Sequence, residues 1–292
     1  MTSYLASPSA TIAVLERHGL YTKKSLGQHF LVDDNVLTRM LELAALAGDE
    51  TVLEVGPGIG TLTVALCAAA GAVVAVERDR DLEPVLAETT AQCPRFALIH
   101  ADAVDVAPDA VCGPFGPPTA LVANLPYGVA ATVVLRFFEM LPSLAQATVM
   151  VQSEVADRMA AVPGTKAYGS YSVKLQLLAR PAGRMSVAPG CFLPPPRVDS
   201  AVIRLERHDA PFDPGLRRQA ARVADAAFAQ RRKTLRNSLR AASGLEKAVI
   251  DAALDSAGID GSIRAETLVP VSFVDIARHL PGAGISAAHR LY

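Results

Sequence analysis

Asn124-Leu125-Pro126-Tyr127-Gly128 is the segment of this chain best suited to chemistry. It offers a side-chain oxygen at Asn124, a backbone carbonyl at Leu125, a stiffening Pro126 and the ring of Tyr127. Such a set suits a weakly nucleophilic exocyclic amine, such as that of adenine, whose lone pair is delocalised into its ring. Acceptors around the NH2 concentrate the pair towards an electrophile, here a sulfonium methyl. The aromatic ring gives the base a surface to stack on. No strong base is needed, so catalysis would be positioning and electrostatics. A base inside structured nucleic acid would first be turned out of its stack. As a bare tetrapeptide the sequence is an ordinary turn; its place after a strand makes it specific.

The electrophile needs its own site. Val52-Leu53-Glu54-Val55-Gly56-Pro57-Gly58-Ile59-Gly60 reads as an apolar strand entering a glycine turn and then a helix. Gly56 and Gly58 let backbone approach a ligand at the carboxyl end of a strand. The spacing is G-x-G-x-G rather than the dinucleotide G-x-G-x-x-G, and by itself it is weak evidence, because a minority of such turns are only tight connections. Glu77 closes the next strand, where a carboxylate can accept from both hydroxyls of a ribose. Asp102 follows the third strand and either accepts from an adenine amino group or caps a turn. Phe192 lies in Cys191-Phe192-Leu193-Pro194-Pro195-Pro196-Arg197-Val198-Asp199-Ser200. That rigid segment either holds the ring over the second face of an adenine pocket or uses it as an anchor.

These residues require a scaffold of alternating strands and helices. Strands are expected at 51–55, 72–77, 96–100, 119–123 and 148–152, with 172–179 and 200–205 completing the sheet. Helices are expected at 60–70, after a cap at Asp81, and at 129–141. Apolar strands separated by helices imply a mostly parallel α/β sheet. The segment 209–215 holds two prolines and a glycine and reads as a linker. Beyond it only helical periodicity is present. Leu216, Ala220, Val223 and Ala227 share a face, as do Leu235 and Leu239. Gly258 ends a helix from Leu245, and Ser272 caps a last one carrying Phe273, Ile276, Ala277 and Leu280. The expected organisation is an N-terminal segment, 1–30, packing near the cofactor site; a nucleotide-binding domain, 31–207; and a small all-α domain, 208–292. Residues 1–10 and 282–292 are small and polar and are expected to be disordered.

Composition sets wide bounds. The chain has 292 residues, 51% of them hydrophobic, and a formal net charge of −1, so only local clusters can speak for a nucleic-acid partner. Cys67, Cys93, Cys112 and Cys191 have no metal-ligand or redox spacing, and no metal site is expected. The longest apolar run, 64–76, contains Gly71 and falls short of a membrane span. With no secretory signal evident, a cytoplasmic, monomeric protein is expected.

Taken together, these motifs resemble the ribosomal RNA adenine N6-dimethyltransferase family over roughly residues 15–280. Lys23-Lys24-Ser25-Leu26-Gly27-Gln28-His29-Phe30-Leu31, the run Glu154-Val155-Ala156-Asp157-Arg158-Met159 leading to Tyr168-Gly169, and Phe228-Ala229-Gln230-Arg231-Arg232-Lys233-Thr234-Leu235-Arg236-Asn237-Ser238-Leu239 resemble its small-subunit (16S) branch more than its large-subunit one. The resemblance implies a Rossmann-like class I methyltransferase sheet with a small C-terminal all-α domain. It implies S-adenosyl-L-methionine held by His29, Leu31, Gly56, Glu77, Asp102 and Asn124. It implies a target base held by Asn124, Tyr127 and Phe192, and dimethylation of two adjacent adenosines near the 3′ end of 16S rRNA in the assembling small subunit. Ala101 stands where the family usually has glycine, and Leu125 where isoleucine is commoner; neither removes a functional side chain.

An RNA-facing surface is expected on the helical part. Arg217, Arg218 and Arg222 open it, and Arg231, Arg232, Lys233, Arg236 and Arg240 follow. If the second stretch is helical, Arg232, Arg236 and Arg240 form a stripe suited to phosphates. Arg17, Lys23 and Lys24 would extend the surface. A large-subunit methylase, a nicotinamide-dependent oxidoreductase and a non-catalytic assembly factor are the rival readings. The oxidoreductase leaves Asn124–Tyr127 without a role.

Overall fold

Five short apolar runs, each followed by a helical stretch, assemble the parallel part of the central sheet. The computed structural model describes residues 2–22, 28–208 and 212–281. Its strands are β1 (Phe30–Leu31), β2 (Thr51–Val55), β3 (Ala72–Glu77), β4 (Phe96–His100), β5 (Ala120–Asn124), β6 (Gln146–Gln152), β7 (Ala179–Val187), β8 (Phe192–Leu193) and β9 (Ser200–Arg207). Its helices are α1 (Pro8–Arg17), α2 (Asp34–Ala44), α3 (Thr61–Ala69), α4 (Glu83–Thr89), α5 (Pro108–Cys112), α6 (Ala130–Met140), α7 (Ser153–Met159), α8 (Ser170–Gln176), α9 (Pro214–Phe228), α10 (Leu235–Ser243), α11 (Lys247–Ser256) and α12 (Pro270–His279).

Seven strands form one sheet in the order β4-β3-β2-β5-β6-β9-β7. The first five are parallel, and β9 returns antiparallel to β6, with Met150 opposite Val202. The order reverses between β2 and β5, and open α/β sheets bind ligands beyond the strand ends at such a switch point. The switch puts the turn after Val55 and the turn after Asn124 side by side. Strand interiors such as Val52, Leu53, Val74, Leu121 and Ala123 are fully buried, as a sheet covered on both faces requires.

Gly71 joins α3 to β3, where a Cβ would lie 2.8 Å from the backbone oxygen of Asp49. The apolar run 64–76 is therefore a helix end, a glycine turn and a buried strand. No helix among the described residues is long and apolar enough to cross a membrane.

The chain divides into two compact units, 1–156 with 181–207, and 157–180 with 208–292. The second unit thus includes a segment that the sequence pattern assigns to the first domain. Tyr168, Val173 and Leu177 share its core with Val223, Leu239, Ile250 and Phe273.

Within that segment residues 172–176 of the expected 172–179 strand belong instead to α8, and a strand, β7, begins only at Ala179. The apolar residues of α8 alternate in sequence because the helix is buried nearly all round: Tyr171, Ser172, Val173, Lys174 and Leu175 are all covered. Lys174 is accommodated by an ion pair with Asp225 at 2.9 Å. Ser172 Oγ donates to the Arg158 carbonyl at 2.7 Å.

Four further expectations are corrected, one of them the cap of α12: that helix starts at Pro270 after Val269, so Ser272 lies within its first turn. Residues 2–10 are ordered: the Thr2 and Ser3 amides donate to the Asp34 carboxylate, Leu5 is fully buried, and Ser7 caps α1. Residues 213–215 start α9, with Asp213 as its cap and Pro214 in its first turn, and Phe212 packs against the core of the second unit; 209–211 lie outside the described residues. Asp79 rather than Asp81 makes the cap before α4, accepting from the Asp81 amide at 3.2 Å. The expectation for 282–292 also lies outside the described residues.

Candidate active site

At the end of β2 the chain turns through Gly56, Gly58 and Gly60, with φ of 69°, 61° and 91°. L side chains rarely adopt such values. The space is also closed to them. A Cβ on Gly58 would lie 3.1 Å from the Phe30 ring, and one on Gly60 would lie 2.7 Å from Thr89 Oγ1. A Cβ on Gly56 would touch Pro126 Cδ at 3.5 Å, so the glycine turn and the Asn124 turn meet.

Glu77 ends β3 and is 8% exposed. Its Oε1 accepts from the amides of Arg78 and Asp79, each at 2.8 Å. Burial pushes its pKa up, against the pull of those amides and of Gly58's. Asp102 combines a turn cap with a place at the cavity. Its Oδ1 accepts from the Val104 amide at 3.0 Å, and its Oδ2 meets Arg78 at 3.2 Å beside the cavity.

Asn124 ends β5. Its Nδ2 donates to the His29 carbonyl at 3.2 Å, and the Leu125 amide donates to the Met150 carbonyl at 3.0 Å. The Tyr127 hydroxyl bonds Ser200 Oγ at 2.6 Å, and its ring stacks on His29 with centroids 5.4 Å apart. β1 pairs antiparallel with β8, which brings residues 28–31 to this place.

One cavity of about 430 Å³ is lined by His29, Leu31, Gly56, Gly58, Glu77, Asp102, Asn124, Leu125, Pro126 and Tyr127. Phe192 is not among its lining residues. Its ring is 2% exposed and packs in the core with Leu31, Val36 and Val187. The structure gives it the anchoring role, which the pairing of Leu31 with Phe192 explains.

The cavity also includes Gln28, Glu54, Thr61 and Arg78, which sequence reasoning does not select. Gln28 Nε2 donates to Asp79 at 3.0 Å. Arg78 follows Glu77 directly, and that adjacency is the one signal for it. Glu54 is hidden inside an apolar strand.

Glu54 is buried, and its Oε2 has no hydrogen-bond partner among the described residues. Burial, partly offset by the Thr63 hydroxyl and reinforced by the charge of Glu77, lifts its pKa to about 8. The folded chain therefore keeps this proton to a higher pH than the unfolded chain does. Its contribution to stability is complete below the ordinary glutamate pKa and is lost as pH climbs to about 8. The slope approaches roughly 1.4 kcal/mol per pH unit at most. Glu54→Gln should remove that slope in denaturant titrations at successive pH values. Parallel curves for the two proteins would contradict the assignment.

The basic residues belong to the second unit. Arg217, Arg218 and Arg222 lie on α9, and Arg218 is exposed. The expected Arg232–Arg236–Arg240 stripe does not form. α10 begins only at Leu235, so Arg232 and Lys233 lie in the preceding turn, and Arg236 pairs with Asp251. Arg231 donates to the Lys166 carbonyl at 3.0 Å and lies 3.9 Å from Glu266. Arg232, Lys233 and Arg240 are exposed. Arg17 is paired with Glu88, and Lys23 and Lys24 lie outside the described residues.

A family model described as ribosomal RNA adenine dimethylase matches residues 19–280. The chain belongs to that family. It is therefore a methyltransferase with a class I, Rossmann-like sheet and an additional helical unit. Among curated relatives, the ribosomal RNA small subunit methyltransferase A of Kineococcus radiotolerans is 46% identical over 93% of this chain and 90% of its own. The protein of the same name from Rhodococcus opacus is 43% identical over 95% of both chains. Of solved structures, the 23S rRNA methyltransferase ErmE has a TM-score of 0.65 and 27% identity, over 86% of this chain and 99% of its own. A dimethyladenosine transferase from Plasmodium falciparum has a TM-score of 0.70 and 20% identity, over 85% and 96%, and speaks for the fold alone.

Proposed function

We propose that this chain uses S-adenosyl-L-methionine to dimethylate N6 of two adjacent adenosines near the 3′ end of 16S rRNA in the assembling small subunit. The observation that carries the reading is that the glycine turn and the Asn124–Tyr127 turn line one cavity. The small-subunit target is supported by relatives of that name at 43% and 46% identity, against 27% for the large-subunit enzyme.

The residues present fit the cofactor. The cavity volume lies within the roughly 300–1,000 Å³ usual for such ligands. Glu77 presents a buried carboxylate for ribose hydroxyls, Asp102 an acceptor for the adenine amine, and Gly56 and Gly58 a stretch of backbone in the cavity wall. When bound, the cofactor supplies a sulfonium methyl, whose carbon takes the amine lone pair as the S–C bond breaks.

The chain does the positioning. With Asn124 Nδ2 engaged by His29, its Oδ1 is the acceptor left for the substrate amine. The Leu125 carbonyl supplies the second acceptor. Tyr127, tied to Ser200, gives the base a fixed ring. Once the new N–C bond forms, the positively charged nitrogen is strongly acidic and loses its proton to water, so no strong base is required.

Mapping methylated adenines in ribosomal RNA from cells with and without the protein tests the reading. Labelled methyl should pass to immature small subunits and not to large-subunit RNA; the reverse pattern would assign the chain to the other subunit.

Arg218, Arg232, Lys233 and Arg240 are the exposed cations proposed to meet phosphates. Replacing all four with glutamine should weaken subunit binding and flatten its salt dependence. The logarithmic slope should fall by roughly 0.7–0.9 for each phosphate no longer neutralised. Binding measured from low to high salt would show this, and an unchanged slope would remove these residues from the interface.

A further inference from the structure

We propose that His29 is a positioning residue for the target base, fixing both Asn124 and Tyr127. The inference rests on the reading of Asn124–Tyr127 as the methyl-transfer turn, and goes beyond the cofactor contact that the family resemblance implies for this residue.

Three contacts converge on His29. Its backbone carbonyl accepts from Asn124 Nδ2 at 3.2 Å. Its ring stacks on Tyr127, with centroids 5.4 Å apart and planes 24° from parallel. Its Nδ1 lies 2.7 Å from the Pro194 carbonyl, which can only accept, so Nδ1 carries a proton. The β1–β8 pairing, with Phe30 opposite Leu193, sets that last contact in place.

Each contact has a consequence. The carbonyl decides which end of the Asn124 amide faces the substrate, since it claims the NH2 and leaves Oδ1. The ring covers one face of Tyr127 and leaves the opposite face for the base. The Ser200 bond holds the far end of Tyr127. Residue 29 thus backs the stacking ring and orients the acceptor, and the proline-rich segment braces residue 29.

The two methyl transfers should depend on this brace unequally. In the first, both hydrogens of the NH2 can be accepted, by Asn124 and by the Leu125 carbonyl. In the second, the amine bears a methyl and only one hydrogen remains. A single acceptor then directs the amine, and stacking on Tyr127 carries a larger share of the alignment. Removing the backing ring should therefore slow the second transfer more than the first.

The test uses the full-length protein with immature small subunits, reading mono- and dimethyladenosine by mass spectrometry. His29→Leu keeps bulk without aromaticity; His29→Phe keeps the stack without Nδ1. Wild type should yield dimethyladenosine. His29→Leu should accumulate monomethyladenosine, with the second step slowed roughly threefold to tenfold relative to the first. His29→Phe should restore the product ratio. Cooperative thermal melts by circular dichroism should show that both variants fold, and rates taken at saturating S-adenosyl-L-methionine keep any cofactor contact of residue 29 out of the product ratio; S-adenosylhomocysteine affinity is measured beside them by calorimetry. An unchanged product ratio in His29→Leu would overturn the proposal. So would weakened cofactor binding with no change in ratio, since His29 would then serve the cofactor alone. Absence of methylated adenosine with wild type would instead overturn the proposed reaction.

Discussion

Asn124→Ala is expected to lower methyl transfer to small subunits by roughly 10²- to 10³-fold, the usual loss when a preorganised polar contact to a developing charge is removed. Asn124 is the one side chain in the 124–128 turn placed to accept from the amine. Its backbone is held independently, because the neighbouring Leu125 amide bonds Met150 on β6. The turn should therefore keep its course in the variant. Glu77, Asp102 and the glycine turn are untouched, so binding of S-adenosylhomocysteine should change only a few-fold. Single-turnover rates beside calorimetric affinities separate the two effects. Full activity in the variant would refute the amine-orienting mechanism.

Glu77→Gln should act in the opposite way, on binding. The carboxylate is buried, and two backbone amides already fix Oε1. Hydrogen bonds from a ribose diol to a charged acceptor contribute about 1.5–3 kcal/mol each. A neutral amide of the same size would lose the charge and present an NH2 either to the ribose or to the backbone amides, both of which are donors. Affinity should fall roughly 10- to 100-fold. The rate at saturating cofactor should fall far less, because Glu77 lies at the end of β3 and not on the Asn124 turn. A variant with unaltered affinity would place the ribose elsewhere.

The central sheet is legible in the sequence because its strands are buried on both faces and so read as unbroken apolar runs. The two functional turns are legible because each follows such a run, with glycines or Asn-Leu-Pro-Tyr where the backbone must bend. What stays hidden depends on distant partners. β7 carries Pro181 and Gly183 and shows no alternation, as an edge strand can tolerate. α8 resembles a strand because both its polar and its apolar residues are covered. The motif around Phe192 points it towards the pocket, whereas the register of β8 against β1 turns it into the core. The Arg236–Asp251 pair joins α10 to α11 and removes a cation from the expected stripe. The contacts of His29 link positions up to 165 residues apart and leave no local trace.

The path of the backbone between the two units limits how the protein can be divided. The chain leaves the sheet unit after residue 156, returns at 181, and leaves again after 207. A stop codon at 208 would not release a clean catalytic half. It would retain residues 157–180 and strip Tyr168, Val173 and Leu177 of the helices that cover them, leaving a sticky excursion between α7 and β7. A minimal catalytic fragment would also need that excursion excised and Ala156 spliced to Pro181 through a short polar bridge.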